Sequence, residues 1–453
     1  MPRFLIAAAH KSSGKTVIST GLAAALSGQG ARVQCFKKGP DYIDPMWLAA
    51  ASGRPCYNLD FNTMSARELR ALAASRLGPD TLGLIEANKG LFDGFDIDGS
   101  DSNAALARLL DAPVVLVIDT GGMTRGIAPL LLGYQGFDQE VNIAGVILNK
   151  VGGARHESKL RAAVETYTDL SVIGAIPRDP ALEIGERHLG LTTPAETGEL
   201  DRMIGRFARI IGASTDLDRL REIAAKAPDL PAPETAPATA SGRPLRVAIA
   251  RDTAFGFYYP DDLEAFARAG AELIPFDTLT DEALPEADAL FIGGGFPETR
   301  MKALSANRSM RDSIRRALAA GMPAYAECGG LMYLCESLSW RGESVEMVGA
   351  VPGRAVMHDR PQGRGYARFR RAETHPWGGA GVEVKAHEFH YARVEGLPEG
   401  TRFARDMTRG AGIGGGRDGV VVGNLLAGFC HLRNSDATPW VADFLNFVRA
   451  QRR

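Results

Sequence analysis

The chain has 453 residues, enough for two or three domains that each bury a core. With 45% hydrophobic residues, 23% charged residues and a formal net charge of −2, it reads as an ordinary globular protein. That balance lacks the basic excess of nucleic-acid binders and membrane-surface proteins.

No apolar run reaches the roughly 18 residues that a membrane span needs. The N-terminus leads directly into an apolar strand, which leaves no room for a signal peptide. The 5 cysteines contain no CxxC pair and suggest neither a disulfide framework nor a zinc site. A reduced, cytoplasmic protein is therefore expected.

In chain order, Phe4 to Ala9, Ala31 to Phe36, Leu82 to Ala87, Val114 to Asp119, Ile143 to Asn149 and Val172 to Ile176 read as strands. Ala-rich helical stretches such as Val17 to Leu26 lie between several of them. This alternation predicts an α/β domain, a mostly parallel sheet with helices on both faces, over residues 1–224. Residues 225–244 are rich in Pro, Ala and Thr without an apolar period, and are expected to be a linker. A second α/β pattern spans 245–453, with strands at Leu245 to Ala250, Ala271 to Phe276, Ala289 to Ile292 and Met322 to Ala326. Its part from about 344 to 430 is richer in β-type alternation.

The first strand runs into His10-Lys11-Ser12-Ser13-Gly14-Lys15-Thr16. This is the end of a phosphate-binding loop, with Ala9 where the strict GxxxxGK[ST] pattern has glycine. Gly14 lets the backbone approach a phosphate, Lys15 reaches its β/γ oxygens, and the Thr16 hydroxyl can ligate Mg²⁺. The helix that follows points its N-terminus at the anion. Acidic residues recur near strand ends, where α/β sheets bind ligands: Asp41, Asp44, Glu86, Asp93 and Asp119. Such carboxylates hold the metal of Mg-ATP or position an acceptor against the γ-phosphate. Asn149 is as apt to read an adenine edge as to serve the fold alone.

Farther on, Ala326-Glu327-Cys328-Gly329-Gly330 sets a cysteine between a strand and a helical stretch. That order matches a nucleophile elbow. His431 is the leading base for the thiol. Gly294 and Gly295, in the run Gly293-Gly294-Gly295-Phe296-Pro297-Glu298, are suited to an oxyanion hole. Cys35, Cys56, Cys335 and Cys430 read as structural. His387, Glu388 and His390 form a further polar group, and Glu388 could belong to a site.

The glycine run, the cysteine elbow and Phe429-Cys430-His431-Leu432 together resemble a class I-type glutamine amidotransferase domain. Gly14-Lys15-Thr16, the run Lys38-Gly39-Pro40-Asp41-Tyr42-Ile43-Asp44-Pro45, and Glu86 with Asp93 are similar to an ATP-dependent amidoligase domain related to dethiobiotin synthetase. In this order and over essentially its whole length, the chain resembles the cobyrinate a,c-diamide synthase family.

The resemblance implies a P-loop NTPase-like amidoligase domain at 1–224 and a glutamine amidotransferase domain at 245–453. It implies C–N bond formation on peripheral acetate carboxylates a and c of a tetrapyrrole such as cobyrinate or hydrogenobyrinate, in cobalamin biosynthesis. The route is an acyl phosphate attacked by glutamine-derived ammonia, with ATP and Mg²⁺ required. By the same resemblance Cys328 is the nucleophile and His431 its base. Asp41, Asp44 and Asp93 serve the acyl-phosphate site, and Thr16 and Glu86 are the metal candidates. Arg433 stands where such enzymes commonly carry the acid that follows the histidine, so weaker thiol activation is expected.

Glutamine and a tetrapyrrole carboxylate are the expected partners, with no nucleic acid or membrane, and a homodimer is compatible with the family. Sirohaem or nickel sirohydrochlorin remains an alternative acceptor. A partitioning-type ATPase switch with an inactive amidotransferase module is the alternative from another class.

Overall fold

The computed structural model describes residues 1–187, 190–191, 199–231 and 244–452. Residues 232–243 of the expected linker lie outside the described residues. The chain divides into two compact units, Met1–Thr235 and Ala236–Arg453.

Among the described residues, the main sheet of unit 1 has seven strands: β1 (Arg3–Ala8), β2 (Arg32–Lys38), β3 (Tyr57–Leu59), β4 (Thr81–Glu86), β5 (Val114–Asp119), β6 (Ile143–Val151) and β7 (Val172–Pro177). They form one sheet in the order β3-β2-β4-β1-β5-β6-β7, and every pairing is parallel. β1 and β4 are buried at every position, as expected of strands in a parallel sheet covered by helices. Six strands match the apolar runs of the sequence. β3 was not expected, because a three-residue strand is too short to show a period.

Helix α1 (Lys15–Gly28) begins directly after the phosphate loop, and Ile18, Leu22 and Leu26 line its buried side at helical spacing. Helix α2 (Ile43–Ser52) carries Asp44 in its first turn, where the helix dipole favours a negative charge.

Unit 2 holds a nine-stranded sheet. Its parallel half comprises, in spatial order, Ala271–Phe276, Leu245–Ala250, Ala289–Ile292, Ala324–Glu327 and Leu425–Gly428. The antiparallel half continues through Arg417–Val422, Arg402–Arg409, Gly363–Arg371 and Glu383–His390. The strand expected at Met322 to Ala326 is shifted to Ala324–Glu327. Pro323 has no N–H to donate, so the ladder starts after it and extends to the residue before Cys328. Trp440, at the start of the C-terminal helix, packs its ring against Phe266, Phe291 and Tyr325 and fixes the base of this sheet.

Candidate active sites

In unit 1, Gly14 adopts φ +88° and Lys15 begins α1. That left-handed turn suits glycine, and a Cβ there would stand 2.4 Å from Asn149 Nδ2. Asn149 donates through Nδ2 to the Ser13 carbonyl at 2.8 Å, so its amide nitrogen supports the loop from within the chain. Lys15 is buried and donates to the Lys89 carbonyl at 2.6 Å. Burial, then the neighbouring Lys37 ammonium, pulls Lys15 down to about 8, while Glu86, Asp44 and Asp93 act in the opposite direction.

The Thr16 hydroxyl lies 2.9 Å from Glu86 Oε1 and 3.2 Å from Asp44 Oδ2. Lys37 Nζ bridges the same two carboxylates, at 2.6 Å from Glu86 and 2.5 Å from Asp44. The register explains the meeting, because Lys37 and Glu86 are partners on β2 and β4. Burial is the largest influence on Asp44 and opposes its charge, but Lys37 together with hydrogen bonds to Asp41 and Thr16 holds that carboxylate below its ordinary range. On Glu86 burial prevails and the shift is upward, with Lys37 as the main offset. Asp41 is pushed up to about 7 by burial and by Asp44. Its Oδ1 accepts from the backbone of Ile43 and Asp44, which fixes the start of α2. Asp93 caps its own turn by accepting from the Gly90 amide at 2.9 Å.

Thr16, Glu86 and Asp44 therefore gather at the ends of β1, β2 and β4, and Asp93 is close enough to act on Lys15. Asp119 pairs instead with Lys150 at 2.7 Å. Lys37 was missed by the sequence reading. Its signal is a lysine near the end of β2, one residue before the run from Lys38 to Pro45.

Glu86 Oε2 is buried without a hydrogen-bond partner. With the Thr16 hydroxyl and the Asp44 carboxylate beside it, this makes a hard-oxygen donor set that fits magnesium.

In unit 2, Cys328 follows its strand directly and has φ +47° and ψ −101°, a conformation rarely tolerated by a side-chain-bearing residue. Such strain is characteristic of an elbow that presents a nucleophile. Burial, followed by the charges of Glu298 and Glu327, pushes the thiol well above its ordinary range, so it needs a base at hand.

His431 lies across the Gly294 backbone from the elbow. A Cβ on Gly294 would come within 2.6 Å of His431 Cε1, and one on Gly329 within 3.0 Å of the Gly295 amide nitrogen. Gly293–Gly295, Cys328 and His431 are thus brought to one place. His431 Nδ1 stands 3.2 Å from Glu327 Oε2. Arg433, at the position where an acid was missing, forms its ion pair with Asp261 at 2.6 Å.

His387 stacks on His431 with ring centroids 4.9 Å apart. Burial, then the charges of His431 and Arg433, pushes its pKa well below the usual imidazole range. Glu388 accepts from the Ala411 and Gly412 amides and so anchors a turn, while His390 stacks on Phe429. The four other cysteines are buried and unbridged.

Comparison with known proteins covers both units. Residues 4–191 match the CobQ/CobB/MinD/ParA nucleotide binding domain, and residues 246–437 match the CobB/CobQ-like glutamine amidotransferase domain. The chain is 46% identical to cobyrinate a,c-diamide synthase of Magnetococcus marinus, covering 99% of this chain and 97% of that one. It is 43% identical to the Methanosarcina acetivorans protein of the same name, covering 95% and 92%. It is 40% identical to a Dehalococcoides mccartyi relative of that name, covering 100% and 98%.

Proposed function

The chain belongs to the cobyrinate a,c-diamide synthase family, and on that premise we propose that it amidates the a and c acetate carboxylates of a cobyrinate-type tetrapyrrole. It is a glutamine-dependent C–N ligase that uses a nucleotide, and its reaction belongs to cobalamin biosynthesis.

The support lies above all in one chain holding both chemistries. A Gly14-Lys15-Thr16 loop meets Glu86 and Asp44 in unit 1, and a strained Cys328 sits with His431 in unit 2. An ATPase switch has no need of the second.

In this reading the Cys328 thiol gives its proton to His431 and attacks the amide carbon of glutamine. The oxyanion that forms is met by backbone N–H groups of the Gly294–Gly295 stretch. His431 returns the proton to the leaving nitrogen, ammonia departs, and water hydrolyses the thioester to glutamate.

In unit 1, Lys15 and the backbone around Gly14 receive the ATP phosphates, with Asn149 beside the loop. Thr16 and Glu86 would hold Mg²⁺, which when bound would supply neutralisation of the charge that develops in phosphoryl transfer. Asp41, Asp44 and Asp93 position the acceptor carboxylate as it takes the γ-phosphoryl group. Ammonia then attacks the acyl phosphate, inorganic phosphate leaves and the carboxamide forms. We assign residues 1–224 to the synthetase step and 245–453 to ammonia release. A cytoplasmic, dimeric enzyme acting without nucleic acid completes the proposal.

Purified protein with ATP, Mg²⁺ and glutamine, offered cobyrinate, hydrogenobyrinate, sirohaem or nickel sirohydrochlorin separately, tests the acceptor by mass spectrometry. Two amidations on cobyrinate or hydrogenobyrinate, each lowering the mass by about 1 Da as OH becomes NH₂, are expected. Amidation of sirohaem or nickel sirohydrochlorin alone would overturn the choice of acceptor.

A further inference from the structure

We propose that Glu327, the residue immediately before the nucleophile, is the acid that orients His431 in the glutaminase reaction, so that this chain completes a Cys-His-Glu arrangement from the nucleophile's own strand. The inference rests on the glutaminase reading of Cys328 and His431 and adds a positioning residue to it.

The geometry starts from strand alternation. In Ala324–Glu327 the side chains of Tyr325 and Glu327 share a face, and the Tyr325 hydroxyl donates to Glu327 Oε1 at 2.6 Å. The same oxygen accepts from the Leu432 amide at 2.9 Å, while Oε2 faces His431 Nδ1 at 3.2 Å. One carboxylate thus holds both the imidazole and the backbone just beyond it.

A proton on Nδ1 shared with Glu327 leaves Nε2 as the nitrogen that accepts the thiol proton. It also gives the resulting imidazolium a buried counter-charge. Arg433 cannot serve this purpose: it is a cation and is paired with Asp261.

The surroundings fix the arrangement. Arg405 donates to the Tyr325 hydroxyl at 3.1 Å and pairs with Asp418 at 2.9 Å, both fully buried. Asp418 accepts from the amides of Phe429 and Cys430, and the His431 amide donates to the His387 carbonyl at 2.8 Å. Four consecutive amides, from Phe429 to Leu432, are therefore held, two of them by Asp418 and one by Glu327. Among the described residues, Glu327 faces His431 Nδ1, His387 stacks on the ring, Arg433 acts on His387 beside it, and Glu298 acts with Glu327 on the neighbouring Cys328. Arg405 and Asp418 pair with each other, and Glu327 supplies a carboxylate within hydrogen-bond distance of the ring.

The test compares Glu327→Gln, Glu327→Asp and Cys328→Ala in the full chain. Glutamine hydrolysis is followed from pH 5 to 10, and amidation is assayed with glutamine or with ammonium. Glu327→Gln turns an amide toward Nδ1 and disfavours the required tautomer. Its glutaminase kcat is expected to fall about 100-fold or more with KM little changed. The limb of the pH profile that reports the imidazolium should move about one unit lower, while ammonium-supported amidation stays intact. Glu327→Asp, which keeps the charge, should recover part of the rate with that limb near its original pH.

A folded Glu327→Gln chain with wild-type glutaminase rate and pH profile would overturn the role of Glu327. If Cys328→Ala retained glutamine-supported amidation, the underlying reading of the site would fall instead. Should the Gln variant not fold, the Asp variant decides through its rate. A glutaminase kcat below that of wild type, with KM little changed and the pH limb in place, sustains the proposal, and a wild-type kcat overturns it.

Discussion

Lys37 and Glu86 face each other across adjacent parallel strands, with Nζ 2.6 Å from Oε1 and both side chains almost wholly buried. Asp44 takes the same ammonium at 2.5 Å. One cation therefore balances two carboxylates in the floor of the phosphate site. Lys37→Met leaves those charges buried without their partner, a loss of about 3–5 kcal/mol in stability. Adding Glu86→Gln to Lys37→Met should recover part of it, because the two residues act as a unit. Urea unfolding of the single and double variants measures both effects, and strict additivity would refute the coupling.

Lys15 is the cation that the loop itself delivers, since Lys37 is committed to Glu86 and Asp44. Lys15→Ala should abolish amidation with either glutamine or ammonium, by about 100-fold or more. ADP release in the presence of the tetrapyrrole is the measurement. Near-normal turnover with ammonium would place the phosphate site elsewhere.

The two carboxylates that share Lys37 are expected to fail differently. Glu86, with one oxygen unpartnered, is the better metal ligand, so Glu86→Gln should raise the magnesium requirement about tenfold or more. Asp44 sits at the start of α2, and Asp44→Asn should mainly reduce amide formed per ADP released. Titrating Mg²⁺ against both products in each variant separates the roles. Identical behaviour of the two variants would dissolve the distinction.

The strands of the first unit's sheet were largely legible, whereas in the second unit the five strands of the nine-stranded sheet between Gly363 and Gly428 were foreshadowed only as a stretch of β-type alternation. Leu245–Ala250, Ala271–Phe276 and Ala289–Ile292 stand where the apolar runs placed them. Parallel strands are buried on both faces, and their continuous apolar runs survive into the sequence as a plain signal. Cys328, His431 and the glycine turns stand out in the sequence for a related reason, since the chemistry proposed for them calls for particular residue types in tight local patterns. Lys37 and Glu327 were present in the same segments but carried no local sign of their partners. Glu327 reaches His431 across 104 positions of sequence, and Lys37 meets Glu86 across 49. Register between strands makes the Lys37–Glu86 pair, while His431 reaches Glu327 from the segment that follows the neighbouring strand Leu425–Gly428, and neither relationship is written in one segment alone.

Cys328 is expected to matter only for liberating ammonia. Cys328→Ala should lose glutamine-supported amidation while retaining the ammonium-supported reaction at a rate close to that of the unaltered chain. The reason is chemical separation, because the phosphoryl transfer depends on the Lys15 cluster in unit 1. Paired assays at saturating tetrapyrrole and ATP provide the comparison. A variant that ammonium cannot rescue would show that the thiol takes part in the synthetase step.

His375 supplies a pH dependence of stability that can be isolated. Its imidazole is buried, accepts from the Trp377 amide through Nδ1 at 3.3 Å, and lies edge-on to the Trp377 ring. Burial, then the Arg405 and Arg371 guanidinium groups, lowers its pKa to about 2. In the unfolded chain it titrates near 6.5. A base with a depressed folded pKa contributes its full stability above the unfolded value and loses it as the pH falls, because the unfolded chain then takes up the proton that the folded chain refuses. The loss approaches about 1.4 kcal/mol per pH unit below 6.5. His375→Asn keeps an acceptor for the Trp377 amide but does not titrate. The stability of the parent chain relative to this variant should therefore fall by about 1.6 kcal/mol between pH 6.5 and pH 5. Other titrating groups, His387 among them, are common to both chains and cancel in the difference. Denaturation of the two chains at several pH values across that window provides the measurement, and a difference independent of pH would show that His375 takes up a proton in the folded protein.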